Sequence, residues 1–324
     1  MSDKKIIAVV GATGAQGGGL VRAILADPNG PYVARAITRK ANSNPAKALA
    51  KLGAEIVEAD LNDEASMSRA FKNAYGVFLV TNFWVERTAE EEQAQTRAEM
   101  ELAQAGIGAR AAKAAGVQHA IWFTLEDTRK HFPFSDQRVP TLDGKYKVPH
   151  FDAKAEVNTL FTRVGVPTTF LQTTFYYEGF MRGFGPTRDK DGKLVLTLPM
   201  ADAKLAAIAA EDIGRTALGI FRRGDRFIGK TVSIAGDHLT GSDFAKAFSK
   251  VFDEEVVYRP YTHAQFRSFP IPLAIEIANT FQYYVEAADY FTGARDLKAV
   301  RELNPQLQSF ETWLAVHKDA IRPK

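Results

Sequence analysis

Gly11, Gly14 and Gly17, three residues apart, separate the apolar run 6–10 from a helix-like stretch over 16–26. A buried strand, a tight glycine turn and a helix start make a site for a pyrophosphate. The first glycine permits the turn, the second lets a ligand approach the backbone, and the third lets helix and strand pack closely. Unpaired N–H groups of the turn and first helical residues, from Gly11 through Thr13, Gly14, Ala15 and Gln16 to Gly17, together with the helix dipole, would draw in the anion. The expected ligand is a dinucleotide.

The second apolar run, 33–38, ends in Arg39-Lys40 where a site for NAD would carry Asp or Glu to hold the ribose 2′-hydroxyl. Arg39 can stack on adenine and pair with a 2′-phosphate, and Lys40 adds charge. Such a pair favours NADP(H) by about 1–3 kcal/mol, roughly 10- to 100-fold. Asp60, with Leu61, ends the third run and is expected to meet the adenine amino group. Thr81, Asn82 and Phe83 end the fourth, where open α/β sheets bind ligands. Thr81 and Asn82 would touch ribose or nicotinamide, with Phe83 and Trp84 walling the cleft.

The turn 11–18, the strand end Thr38-Arg39, the run Val80-Thr81-Asn82-Phe83-Trp84, the run His150-Phe151-Asp152-Ala153-Lys154, Gly165-Val166-Pro167-Thr168 and the late Trp313-Leu314 together resemble the NmrA-like proteins, atypical short-chain dehydrogenases/reductases. The resemblance implies a Rossmann domain with a smaller C-terminal lobe and a preference for NADP(H). It also implies, as the leading expectation, a redox-responsive regulator acting through protein partners and, as the alternative, hydride transfer as in isoflavone- and quinone-reductase-like relatives. Active reductases of the superfamily use a Tyr four residues before a Lys, with a Ser or Thr from strand five. Here Lys154 is retained and Thr124 ends strand five, but His150 stands in the Tyr position. Histidine can donate a proton near neutral pH. Tyr146, Tyr176 and Tyr177 are the other candidate donors, and an aromatic cleft of Phe83, Trp84, Tyr176, Tyr177 and Phe180 would suit a small carbonyl, quinone or enone.

The elements that must carry these residues alternate. Apolar strands are expected near 6–10, 33–38, 55–59, 77–80, 120–124 and 169–172, with helices between them, which indicates an α/β doubly wound parallel sheet of Rossmann type. Asn44 and Asn62 are expected as N-caps, and Gly106 and Gly108 should split the helical region 88–115 in two. Residues 129–149, rich in Pro, Asp and Lys, read as a lid over the cofactor. The reading divides the chain into an NADP-binding domain (1–174) and a smaller α/β lobe (175–324) that forms the cleft, some of whose segments could return to the first domain. That lobe carries isolated strands near 194–198, 232–235 and 255–259, and Ser309 caps a last helix.

Composition narrows the rest. The chain of 324 residues is 46% hydrophobic and 24% charged with no Cys, which excludes disulfides and thiolate catalysis. The spacing of the six His suggests no metal site. A net charge of +3 without a basic block argues against nucleic acid. No apolar run is long enough for a membrane span, and the N-terminus leaves no room for a signal peptide, so a cytoplasmic protein is expected.

Overall fold

The computed structural model describes residues 4–323. Its first half alternates as β1 (Lys5–Val9), α1 (Ala15–Leu25), β2 (Tyr32–Thr38), α2 (Asn44–Lys51), β3 (Glu55–Glu58), α3 (Glu64–Phe71) and β4 (Gly76–Leu79). Two helices follow, α4 (Ala89–Ala94) and α5 (Arg97–Ala114), then β5 (His119–Thr124), α6 (Pro149–Val164) and β6 (Thr168–Gln172). The second half holds β7 (Phe175–Tyr176), β8 (Thr187–Arg188), β9 (Leu194–Leu196), β10 (Leu205–Ile208), α7 (Ala210–Arg223), β11 (Thr231–Ser233), β12 (Asp237–Leu239), α8 (Gly241–Phe252) and β13 (Val256–Tyr258). It ends in α9 (His263–Arg267), α10 (Ala274–Glu286), α11 (Ala288–Gly293), α12 (Leu297–Leu303) and α13 (Phe310–Ile321).

A seven-stranded parallel sheet runs in the order β11-β6-β5-β4-β1-β2-β3. The chain winds outward from β1 through β2 and β3, then crosses back to β4, so the order reverses between β1 and β4. That reversal opens a crevice at the carboxyl ends of these two strands. Strands β4 and β5 are buried throughout, as continuous apolar runs covered by helices on both faces must be. Two three-stranded sheets, β12-β10-β7 and β13-β9-β8, build the smaller part. The strand read near 232–235 is β11, which pairs with β6 and extends the large sheet by one strand. None of the described helices is long and apolar enough to cross a membrane.

Three local readings shift. Ser43, not Asn44, caps α2, its Oγ accepting from the Ala46 N–H. Asp60 Oδ1 accepts the N–H of Asn62, and the cap of α3 passes to Asp63, whose side chain takes the N–H groups of Ala65 and Ser66. The helical region does divide, but at residues 95–96. Thr88 and Thr96 each close a capping box, with Glu91 and Glu99. Gly106 and Gly108 lie inside α5, where the helix meets its neighbours: a Cβ on Gly108 would stand 2.5 Å from Leu79 Cδ2.

Candidate functional site

The crevice is lined first by the glycine turn. Gly11 has φ +67°, and the N–H of Gly14 donates to its carbonyl at 2.9 Å. A Cβ on Gly17 would stand 2.5 Å from that carbonyl oxygen. The turn is therefore closed to any larger residue where α1 leaves β1. Helix α1 starts at Ala15 with no side chain capping it, so its first N–H groups are free for an anion. The Gln16 amide donates to Tyr176 Oη at 2.7 Å, and Gln16 Oε1 is buried with no partner among the described residues. Arg39 and Lys40 are exposed just beyond β2. These features fit a dinucleotide with a phosphorylated adenosine ribose. Asp60 and Leu61 are half-buried after β3; Asp60 Oδ1 is already engaged by both the backbone and the side-chain N–H of Asn62.

Lys154 lies buried on α6, its Nζ donating to Thr81 Oγ1 at 2.7 Å and to Glu101 Oε1 at 2.6 Å. Thr81 also donates to Glu101. The ammonium lies over the rings of Phe123 and Trp122. Burial pulls its pKa below the usual lysine value, opposed by the Glu101 carboxylate. Glu101 is fully buried and its Oε2 has no partner among the described residues, which suits a ribose hydroxyl beside Lys154. Sequence reading missed Glu101. The signal was there: it shares the buried stripe of α5 with Ala98, Ala105 and Gly108, a lone carboxylate at helical spacing among small apolar residues.

His150 opens α6 next to Pro149. Glu276 Oε1, on the first turn of α10, stands 2.8 Å from His150 Nδ1 and 2.8 Å from its backbone N. An acceptor carboxylate there places the proton on Nδ1. Among the described residues Nε2 has no hydrogen-bond partner, and it is not sealed from solvent. The ring packs against Trp84 at 4.8 Å and Phe83 at 5.7 Å. Phe83 is buried, whereas Trp84 is 47% exposed. Asn82 is exposed, and its Oδ1 accepts the Trp84 N–H. Glu276 also escaped the sequence, because its contact spans 126 residues.

The remaining candidates are placed elsewhere. The Thr124 hydroxyl is buried and donates to the carbonyl of Lys154 at 3.1 Å; it docks α6 on β5 and is not offered to a substrate. Tyr146 lies in the loop before α6, and its Oη is 3.2 Å from Glu156 Oε2. Tyr177 and Phe180 are core residues, packed on Phe310, not cleft walls. Burial raises the pKa of Tyr146, Tyr176 and Tyr177, which makes each phenol a poorer acid near neutral pH. Of the candidate donors, His150 alone has a free nitrogen beside the aromatic wall.

The segment read as a lid is fastened down. Asp152 accepts from Thr128, Lys147 and Val148, the buried Lys147 ammonium donates to the carbonyls of Asp136 and Val139, and Asn279 of α10 donates to those of Pro140 and Lys147. Fixed carbonyls and a buried carboxylate hold it against α6 and α10.

The chain matches the pattern of the NmrA-like family over residues 3–314. It is 29% identical over 268 residues to the NmrA-like family domain-containing oxidoreductase malD of Malbranchea aurantiaca, covering 79% of this chain and 76% of that one. Its fold resembles that of NmrA, a negative transcriptional regulator solved in complex with NADP, with a TM-score of 0.74 at 23% identity over 97% of this chain and 95% of that one. It also resembles an NADPH-dependent quinone oxidoreductase of Escherichia coli, with a TM-score of 0.70 at 22% identity over 96% and 98% of the two chains.

Proposed function

Since the chain belongs to the NmrA-like family, we propose that it binds NADP(H) across the glycine turn and acts as an NADPH-dependent reductase of a small carbonyl, quinone or enone. The observation that carries this reading is His150, with Nδ1 tied to Glu276 and Nε2 free beside Phe83 and Trp84. Arg39 and Lys40 meet the 2′-phosphate. The free N–H groups at the uncapped start of α1, Ala15, Gln16 and Gly17, take the pyrophosphate, and Lys154 with Glu101 Oε2 holds the nicotinamide ribose. When bound, NADPH supplies a hydride. His150 supplies the proton that the substrate oxygen needs, a contribution of about 10²–10⁴-fold for a positioned acid. The aromatic wall orients a flat substrate and keeps water from the reacting carbon.

The naming of relatives as oxidoreductases supports this reading. A redox-responsive regulator working through protein partners is the other reading, and it leans on a likeness to a transcriptional regulator in fold. One experiment separates them. NADPH oxidation followed at 340 nm across quinones, enones and small carbonyls should exceed background and be abolished by Lys154→Ala. Cofactor binding without turnover would instead leave the regulator. In the same preparation, calorimetry should give NADPH about 10- to 100-fold tighter binding than NADH, and Arg39→Asp should erase that preference; equal affinities in the wild type would sink the assignment of Arg39.

A further inference from the structure

Glu276 does two things at once. Its Oε1 accepts the backbone N–H of His150, satisfying one free donor at the start of α6, where no side chain of the α6 segment itself does so. The same oxygen accepts from the imidazole Nδ1. The first contact is an ordinary helix cap. The second fixes a tautomer, and the residue is only 3% exposed, so little water competes for it.

The geometry points to Glu276 as a positioning residue of the reductase site, holding His150 with Nδ1–H bound and Nε2 turned to the cleft. This rests on the reductase reading above. During reduction the hydride goes to the substrate carbon, and the Nε2 proton of the His150 imidazolium goes to the substrate oxygen. The ring keeps Nδ1–H on Glu276 and becomes neutral; a proton from water restores Nε2–H. The balance is NADPH, carbonyl and one proton consumed, NADP+ and alcohol formed. Glu276 touches neither substrate nor cofactor; by holding Nδ1–H it fixes the ring orientation and the neutral tautomer left after transfer.

The placement also joins two parts of the chain. Glu276 and Asn279, three residues apart on α10, reach His150 and the loop in front of it. The proton donor is assembled only when α10 from the second half lies against α6 from the first.

The test uses the full-length chain with Glu276→Ala, which removes the acceptor, and Glu276→Gln, which keeps an oxygen but loses the charge. Nitrogen-15 NMR of the neutral imidazole, taken at alkaline pH and assigned through loss of the signal in His150→Asn, should show the Nδ1–H tautomer in the wild type and in Glu276→Gln. In Glu276→Ala it should move toward Nε2–H. Turnover should fall about 10-fold or more in Glu276→Ala and less in Glu276→Gln, with KM for NADPH unchanged and melting temperatures recorded to confirm folding. Unchanged His150 nitrogen signals in folded Glu276→Ala would overturn the positioning role whatever the turnover. A wild-type chain inert on the whole panel would remove the reductase reading, while the tautomer shift would still report on Glu276.

Discussion

Single side chains decide the chemistry here because burial leaves each with so few partners. Lys154 and Glu101 are both buried, so each holds the other's charge in a place where neither could stand alone. His119, on β5, shows the opposite solution. It is fully buried, its Nε2 lies 2.8 Å from Thr169 Oγ1, and the Thr169 hydroxyl donates onward to the Phe227 carbonyl. The Nε2 therefore donates, and Nδ1 is left buried without a partner among the described residues. Desolvation pushes the His119 pKa down to about 4, partly countered by Asp225. The unfolded chain, with an ordinary His, binds this proton more readily than the folded one. Stability from this group is thus complete above about pH 6.5 and drains away as the pH falls toward 4. Between pH 7 and pH 5 the loss should be about 2 kcal/mol. Urea unfolding at both values should show that loss in the wild type and a flatter response in His119→Asn; parallel slopes would contradict it.

At the scale of elements, α1 is held by glycine contacts on both of its sides. Gly17 closes on the turn, whereas Gly19 faces α7, where a Cβ would stand 2.7 Å from the Glu211 carbonyl oxygen. From α7, Gly214 answers: a Cβ there would lie 2.1 Å from the Leu20 nitrogen. The two helices touch backbone to backbone, so no rotamer change can make room. Gly214→Ala should therefore cost about 1–3 kcal/mol, the range for overpacking, and displace α1 relative to β1. Because α1 presents its N-terminus to the pyrophosphate, NADPH affinity should drop with stability, although residue 214 lies outside the binding turn. Thermal melting and calorimetry on the same variant check both, and a variant as stable and as tight as wild type would refute the packing argument.

Taken whole, the molecule has a core that ignores the midpoint of the chain. Phe132, Val148 and Phe151 share one apolar cluster with Phe180, Phe244, Tyr283 and Trp313. Helix α7 and strand β11 come from the second half, yet Ile213, Ala217 and Ile220 of α7 pack in a cluster with Ile7, Leu20 and Val21. Buried Arg295, from the second half, reaches Glu126 after β5 and the carbonyl of Thr173 after β6. With so much apolar surface shared, unfolding should be one cooperative step. Tryptophan fluorescence, which samples Trp122 beneath the sheet and Trp313 in the smaller part, should trace the same urea midpoint as far-ultraviolet circular dichroism. Two separated midpoints would show independently folding halves.

What is local could be read along the chain. The strand-turn-helix around Gly11–Gly17, the basic end of β2 at Arg39 and the parallel alternation follow from period, glycine placement and charge, each complete within a few residues. A short run already states whether a carboxylate or a guanidinium stands at the end of β2. Contacts with distant partners emerge from the folded chain alone. Glu276 reaches His150 across 126 residues, Tyr176 reaches Gln16 across 160, and β11 joins the large sheet through β6. No local pattern encodes such contacts, because they form when whole elements bury their apolar faces against one another and the polar groups left inside must find partners. Thr124 and Tyr177 show the same physics in reverse: each has a residue type suited to a cleft, yet packing turned one toward a helix carbonyl and the other into the core.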